Sequence, residues 1–339
     1  MKKNILFLFI FVASLNLFSF PINDYDFHLA ELQISPITAA MGGLNVISIK
    51  DPFAVYQNPA ILGEVEQSVF SISFKMKNKE DQNITDIINA GNILKEKQIS
   101  FINLSAKKAG FSFQPLVSIH EKSNYFVSNV QYQDYIDYKL NSYQVSGGFD
   151  KNEISWGFTA KFLSGRLIYL KEKQIESTEL FNIDSFIDDN SKGFSFDLGF
   201  IYTKSNIKYG LVFYDLFSHL YWKNNPNRTL TKRFAFGTGY SSNGYDLTAG
   251  IDGKLNKNSN SQYHFGIAKN VLTDENPNNP KSLDFRAGVY SHDFKNEDDI
   301  FTSFGVGYFI KIFKIDCSVT SFGMNSENNS YLISTSIAM

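Results

Sequence analysis

From residue 99 to the C-terminus, apolar residues alternate with small or polar ones in segments of about ten. Only an extended strand has a period of two, and about ten residues is what a tilted strand needs to cross a bilayer. Phe194, Phe196, Leu198, Phe200 and Tyr202 form one face of such a segment, opposite Ser195, Asp197, Gly199 and Thr203, with Ile201 out of pattern. Ile154, Trp156, Phe158, Ala160 and Phe162 repeat it against Ser155, Gly157, Thr159 and Lys161, as do Tyr245, Leu247, Ala249 and Ile251 against Asp246, Thr248, Gly250 and Asp252. Further copies fall within 234–240, 262–268, 283–290, 300–310, 313–320 and 331–339, and Asn243-Gly244 reads as a two-residue hairpin. Fourteen to sixteen strand candidates result, and bacterial outer-membrane barrels take even numbers.

A soluble sandwich would also alternate, but its outer face would be charged. Here the face opposite the aromatics is mostly Gly, Ser, Thr and Asn, so a lipid-facing exterior around a polar interior fits better. The chain carries 33 Phe and 18 Tyr, and Tyr202, Tyr240, Tyr245, Tyr263, Tyr290 and Tyr331 near segment ends suit interfacial girdles. The expected fold is all-β: an antiparallel transmembrane β-barrel of about 14 strands over residues 68–339. Helical signal is confined to Ile84, Ile87, Ile88 and Leu94 within 77–98 and to Leu180–Ile187; polar loops are expected at 222–232, 270–281 and 292–299.

Lys2 and Lys3 precede an apolar run from Ile5 to Phe20, which reads as a secretory signal over residues 1–20, cleaved near Ser19; an uncleaved anchor is the alternative. The single cysteine, Cys317, lies far from this leader, which closes the lipoprotein route and excludes a disulfide scaffold. Lys and Arg total 32 against 34 Asp and Glu, so no basic footprint for nucleic acid exists.

Residues 21–67 do not alternate. Pro36, Pro52 and Pro59 remove backbone donors, Gly42-Gly43 permits positive φ or a close approach, and Asn58-Pro59 favours a tight turn. Such a segment can fold into a barrel lumen as a plug; an exposed N-terminal arm is the plainer alternative. Its sequence contains Met41-Gly42-Gly43, an Asp51-Pro52 turn and Asn58-Pro59-Ala60. With these elements, and with stretches at 209–217, 250–254, 263–266 and 283–288, the chain resembles the FadL/PorV superfamily of outer-membrane proteins. The resemblance implies a fourteen-stranded barrel with a lumenal plug or hatch.

Catalytic chemistry finds no support. The residues two positions after the five histidines are Ala30, Lys122, Tyr221, Gly266 and Phe294, none of them a nucleophile, so the expected catalytic set is empty. His264 sits on the small-residue face and reads as a satisfied structural group. No two histidines are close, the acidic runs Asp188-Asp189 and Glu297-Asp298-Asp299 read as solvated loops, and no metal or other cofactor is expected. The glycines at 237, 239, 305 and 307 are those of a crowded inner face rather than phosphate loops. Charges on that face are Lys161, Asp197, Asp246, Asp252, Lys254, Asp284, Arg286, Lys314 and Asp316. Inside a narrow lumen they would pair with each other or with plug backbone groups, with Asp284 and Arg286 the leading candidates for holding the plug; a water-filled lumen in which their pairing contributes little is the alternative.

These readings imply a non-enzymatic outer-membrane barrel in contact with outer-membrane lipid. From the resemblance come two functions: transport of a hydrophobic small molecule through movement of the plug, or docking of secreted and secretion-system proteins. A structural or adhesive surface protein is the alternative from another class.

Overall fold

The computed structural model describes residues 34–48, 50–77, 98–127, 130–174, 181–255, 261–274, 281–322 and 329–339. The leader, residues 21–33 and the amphipathic stretch at 78–97 lie outside the described residues.

Fifteen antiparallel strands form one sheet: β1 Val69–Lys77, β2 Gln98–Ala106, β3 Ala109–Val127, β4 Val130–Lys151, β5 Ile154–Gln174, β6 Phe181–Lys204, β7 Ile207–Tyr214, β8 His219–Trp222, β9 Arg233–Ser242, β10 Tyr245–Lys254, β11 Gln262–Asp274, β12 Lys281–Ser291, β13 Ile300–Ile310, β14 Phe313–Phe322 and β15 Ser330–Ala338. β1 pairs with both β2 and β15, closing the sheet so that neither terminal strand leaves a free edge. β7 and β8 share one position, because β6 pairs Leu198–Lys204 with the first and Ser191–Phe194 with the second. The fifteen strands therefore fill fourteen barrel positions, an even number as the alternation anticipates.

Two-residue turns join β2–β3, β4–β5, β6–β7, β9–β10 and β13–β14 at one rim, here the turn rim. Each holds a residue at positive φ: Lys108, Asn152, Ser205, Asn243 and Lys311. At Asn243-Gly244 both residues have positive φ, 51° and 75°, the mirror-image turn whose twist matches the flanking strands. The opposite, loop rim carries the described connections 215–232 and 292–299.

Along each strand the two faces separate as the alternation requires. Trp156, Phe162, Phe194, Phe200, Phe236, Phe265 and Phe304 are exposed on the outer wall, while Ser155, Thr159, Lys161, Ser195, Asp197, Ser303 and Ser334 are buried inside. Phe149 stacks on Trp156 and Tyr202 on Tyr209 near the turn rim, forming part of an aromatic girdle.

Four sequence expectations change. Tyr290 is not a girdle residue: it shares parity with Arg286, points inward and is 6% exposed, stacked between His264 and Phe301. Of the stretch 180–187 expected to be helical, the described residues 181–187 are strand: β6 begins at Phe181, because β5 continues to Gln174 and its backbone groups need a ladder partner. The third concerns length. β3 to β6 run 19, 22, 21 and 24 residues, about twice a bilayer crossing, so this side of the barrel rises past the membrane at the loop rim. There the outer face becomes charged, with Arg166 bidentate on Asp188 at 2.9 and 2.7 Å, and hydrogen bonding from the guanidinium holds the Asp188 carboxyl below its usual range. The inner face of the same extension buries Tyr138, Leu140, Leu163, Leu167, Leu220 and Trp222. The fourth is Asp188-Asp189, which lies on β6 rather than in a solvated loop: Asp189 points inward, fully buried, and accepts from the Asn224 amide at 3.0 Å and from Asn225 Nδ2.

Candidate functional site

Residues 34–64 lie inside the barrel and follow its inner wall. Ser35 caps a short helix, α1 (Pro36–Ala40), accepting from the amides of Ile37 and Thr38 at 3.1 and 3.2 Å, and Pro36 occupies the first turn, where its missing N–H costs nothing. α1 is wholly buried and packs on β12 to β15. Gly42 and Gly43 then adopt φ of 82° and 83°, a conformation available mainly to glycine, and turn the chain toward β11 and β10. Leu44, Val46 and Ile47 pack with Val212, Tyr214 and Ala235. Beyond a second short helix, α2 (Ala54–Gln57), Asn58 caps a 3₁₀ turn at Pro59–Gly63.

The wall accommodates this path through its inward glycines. A Cβ on Gly157 would lie 2.4 Å from the Pro59 carbonyl, on Gly199 2.0 Å from Asn58 Oδ1, on Gly210 2.6 Å from the Val46 carbonyl, on Gly266 2.4 Å from the Met41 carbonyl and on Gly288 2.0 Å from the Gly42 nitrogen. All are below the approach of real side-chain carbons, so the pattern of small inner residues is the imprint of the segment on the wall, on β5, β6, β7, β11 and β12 here, on β10 at Gly250 beneath Leu44, and likewise on β4, β9 and β13.

Asp51 is the centre of the segment's own structure. Its carboxylate is 2% exposed and accepts from Ser35 Oγ at 2.6 Å, Thr38 Oγ1 at 2.7 Å and the Phe53 amide at 2.9 Å, tying α1 to the turn at 51–53. Pro52 offers its carbonyl to Asn103 Nδ2 at 2.7 Å, and Phe53 and Tyr56 pack edge-on against Phe101. Asn58, fully buried, accepts from the Ala60 amide at 3.0 Å and donates to the carbonyls of Val46 at 2.8 Å and Phe200 at 3.2 Å, joining two parts of the segment to the wall. Ala60 packs with Ala54, Ile61 and Ile201. Asp51→Asn should destabilise the segment by roughly 1–3 kcal/mol: with Oδ1 kept for the Phe53 amide, the nitrogen in place of Oδ2 can no longer accept from the two hydroxyls, and Ser35 Oγ already accepts two backbone amides. Thermal unfolding, or protease cleavage within 36–62, would read this; no change would mean that the three bonds contribute nothing net.

Sequence reasoning placed Met41, Gly42, Gly43, Asp51, Pro52, Asn58, Pro59 and Ala60 together, and the structure positions all eight in this inner segment. The five lumen charges fall into three separate groups. Asp197 meets Lys161 Nζ at 2.8 Å beside Asp215; Asp252 faces His264 Nε2 at 3.1 Å; Asp284 and Asp316 flank Arg286 at 2.5 and 2.8 Å, with Lys314 behind them. Of the two kinds of partner expected for Asp284 and Arg286, the described contacts are with each other and with the wall residues Asp316, Asn270 and Lys314 rather than with the plug. Charges packed across neighbouring strands satisfy one another first. The links to the wall come from other groups: His264 to the Gly42 carbonyl at 2.6 Å, Tyr214 to the Gln57 carbonyl at 2.6 Å, the Lys108 amide to the Leu62 carbonyl at 3.1 Å, Ser73 to the Ile34 carbonyl, and Lys208 to Glu64. Most of these are bonds to backbone carbonyls, which residue spacing does not reveal; only the parity of His264 marked it.

A cavity of about 190 Å³ remains between the segment and β9 to β12 toward the turn rim. Ile37, Met41, Ile47 and Ala268 give it an apolar lining, and Lys50, paired with Asp246 at 2.7 Å, stands at its side. Among the described residues no group of three or more His, Cys, Asp or Glu side chains could hold a metal ion.

No protein-family model matches the chain, and no curated protein is similar to it in sequence. Solved structures are similar in fold. The Ralstonia pickettii toluene transporter TbuX aligns with a TM-score of 0.56 at 12% identity, over 91% of this chain and 98% of its own. The monoaromatic hydrocarbon channel CymD aligns with a TM-score of 0.54 at 11% identity, over 91% and 97%. A Pseudomonas aeruginosa FadL homologue aligns with a TM-score of 0.51 at 9% identity, over 90% and 98%. The chain thus has the fold of the FadL-type barrel along nearly its whole length.

Proposed function

We propose that this chain is a non-enzymatic barrel of the bacterial outer membrane that passes hydrophobic small molecules, with residues 34–64 as the movable element closing its lumen. The observation that carries the reading is the segment itself: a non-strand stretch lying along the inner wall, seated on glycines rather than fused into the sheet. Support comes from the loop side of that segment, where Tyr138, Leu140, Leu167 and Trp222 are buried on the inner face and Tyr138 packs on Trp222 at 6.0 Å, an environment in which an apolar molecule would leave water. The similar structures are named as channels or transporters of toluene and other monoaromatic hydrocarbons, which favours an apolar cargo. Cells carrying the chain should take up a labelled fatty acid or monoaromatic hydrocarbon faster than cells without it. Deleting residues 36–62 should change that uptake while the barrel still assembles. Equal uptake in all three would remove the transport reading.

A second reading, docking of secreted or secretion-system proteins, is favoured by one observation. On the extension past the membrane, Ile183 and Phe186 are 66% and 60% exposed, beyond the Arg166–Asp188 pair that separates them from the lipid-facing band. Capture from gently solubilised membranes should then recover such proteins at a stable ratio, and Phe186→Asp should abolish the recovery.

A further inference from the structure

Above the lipid-facing band, the outer wall of β4, β5, β6 and β8 gathers cations in two adjacent cross-strand rows. The registers of β3 to β6 set Phe113, Tyr143, Phe162 and Phe194 side by side as an aromatic row, the last three exposed. The next outward row toward the loop rim holds Asn141, Ser164 and Lys192, and the one after it Lys139, Arg166 and Asn190. Lys223 joins that second row, because its amide donates to the Asn190 carbonyl at 3.1 Å where β8 ends. All four cationic residues are exposed.

Their height follows from strand geometry. Lys192 lies ten residues along β6 from Tyr202 in the turn-rim girdle. At about 3.3 Å per residue and a tilt of about 40°, that is a rise of about 25 Å, the height of the apolar band of an outer-membrane barrel. The row with Lys139 and Arg166 stands about 5 Å higher, at the level of lipid headgroups. Lys139 and Arg166 are directly opposite on neighbouring strands, where like charges destabilise a sheet unless an anion lies between them. The nearby acids do not supply it. Asp137 and Asp188 sit one row farther from the membrane. Asp188 is occupied by Nε and Nη2 of Arg166, which leaves Nη1 outside that pair. Asp137 faces His120 Nδ1 at 3.3 Å and lies 4.0 Å from Lys139, beyond hydrogen-bond reach. Lys192 and Lys223 have no acid partner among the described residues.

We propose that Lys139, Arg166, Lys192 and Lys223 bind the headgroup of an outer-leaflet lipid that carries more than one phosphate. The four cations span three strand spacings, about 14 Å, too wide for a single phosphate to engage them all. The guanidinium fork and the lysine ammonium groups both suit phosphate oxygens, and Asn141, Ser164 and Asn190 between them offer neutral hydrogen-bonding groups to a sugar. The acyl chains of the same lipid lie on Tyr143, Phe162 and Phe194 directly below, so the site continues the lipid-facing surface upward.

The site rests on the wall crossing a membrane and not on transport. Native mass spectrometry of the purified barrel in mild detergent, titrated with diphosphoryl lipid A, monophosphoryl lipid A or phosphatidylglycerol, tests it. The native chain should bind the diphosphoryl form most tightly. Lys139→Gln, Lys192→Gln and Lys223→Gln together should weaken that binding about a hundredfold, at about fivefold for each cation at a membrane surface. Lys192→Gln alone, with its fivefold loss, serves if the triple variant does not show the heat-modifiable gel mobility of a folded barrel. Lys151→Gln, Lys204→Gln and Lys311→Gln change the net charge equally at the turn rim and should leave binding at the native value. Equal binding of all three lipids by the native chain would overturn a site for more than one phosphate. Unaltered binding in the loop-rim variants, or equal weakening in the turn-rim one, would overturn the site altogether.

Discussion

Lys161→Met should lower the stability of the barrel by about 3–5 kcal/mol, the cost of removing one partner from a buried charge cluster. Lys161 Nζ lies 2.8 Å from Asp197 and 3.0 Å from Asp215, and the three side chains are 7%, 4% and 8% exposed. The rest of the cluster is organised around the carboxylates: Ser195 Oγ donates to Asp215 at 2.6 Å, the Asp215 amide donates to Asp197 at 2.8 Å, and Arg233 stands 4.0 Å from Asp215 while covering the Tyr214 ring. The cluster also sets local geometry. Asp215 has φ of 55°, and it opens the stretch where residues 214–218 face only 195–197 on β6, a two-residue bulge between β7 and β8. Without the ammonium, two carboxylates share one more distant guanidinium. Urea titration followed by the heat-sensitive gel shift would report the loss, and Lys161→Met combined with Asp197→Asn should recover part of it. A loss under about 1 kcal/mol would mean that water screens the cluster as it screens surface pairs.

Gly288→Val should unseat the inner segment while leaving the barrel closed. Its Cβ would lie 2.0 Å from the Gly42 nitrogen and 2.5 Å from the Met41 carbonyl carbon, both backbone atoms without a rotamer to change. Overpacking of this kind costs roughly 1–3 kcal/mol, and here it can be relieved by displacing 41–43, because β12 is held on both sides by full ladders. Amide exchange across 36–47 should accelerate by about fivefold to about 150-fold on the same energy scale, with the heat-modifiable mobility retained. Gly253→Val is the control: its Cβ would meet only the Ser261 and Phe234 side chains, away from the segment, and exchange should stay at the native rate.

The barrel was legible because period-two alternation encodes both pairing and facing. Phe194 to Tyr202 and Tyr245 to Ile251 read correctly as outer faces from the sequence alone. Asn243-Gly244 identified its hairpin through backbone preference. What the pattern hid follows from the same physics. The alternation of β4 and β5 continues past the membrane with an inverted meaning, apolar residues such as Leu140 and Leu167 inside and Arg166 outside, so a reading tuned to lipid-facing aromatics stops too early. Tyr290 was assigned by residue type when its parity with Arg286 already placed it inside. The segment's contacts were the least legible, because Tyr214, Asn103 and Lys108 reach backbone carbonyls whose positions depend on the folded path. The glycines were visible throughout, yet a glycine in a strand says only that something comes close, not what.

The two tryptophans provide the most direct test of the account as a whole. Trp156 is 42% exposed on the outer wall and Trp222 is 6% exposed on the inner one. In bilayers of lipids brominated along the acyl chains near the glycerol, fluorescence of the Trp222→Phe variant should be strongly quenched, and that of Trp156→Phe should be nearly unaffected. Equal quenching of both, or of neither, would contradict a bilayer-spanning barrel with aromatic residues outside and a protected lumen.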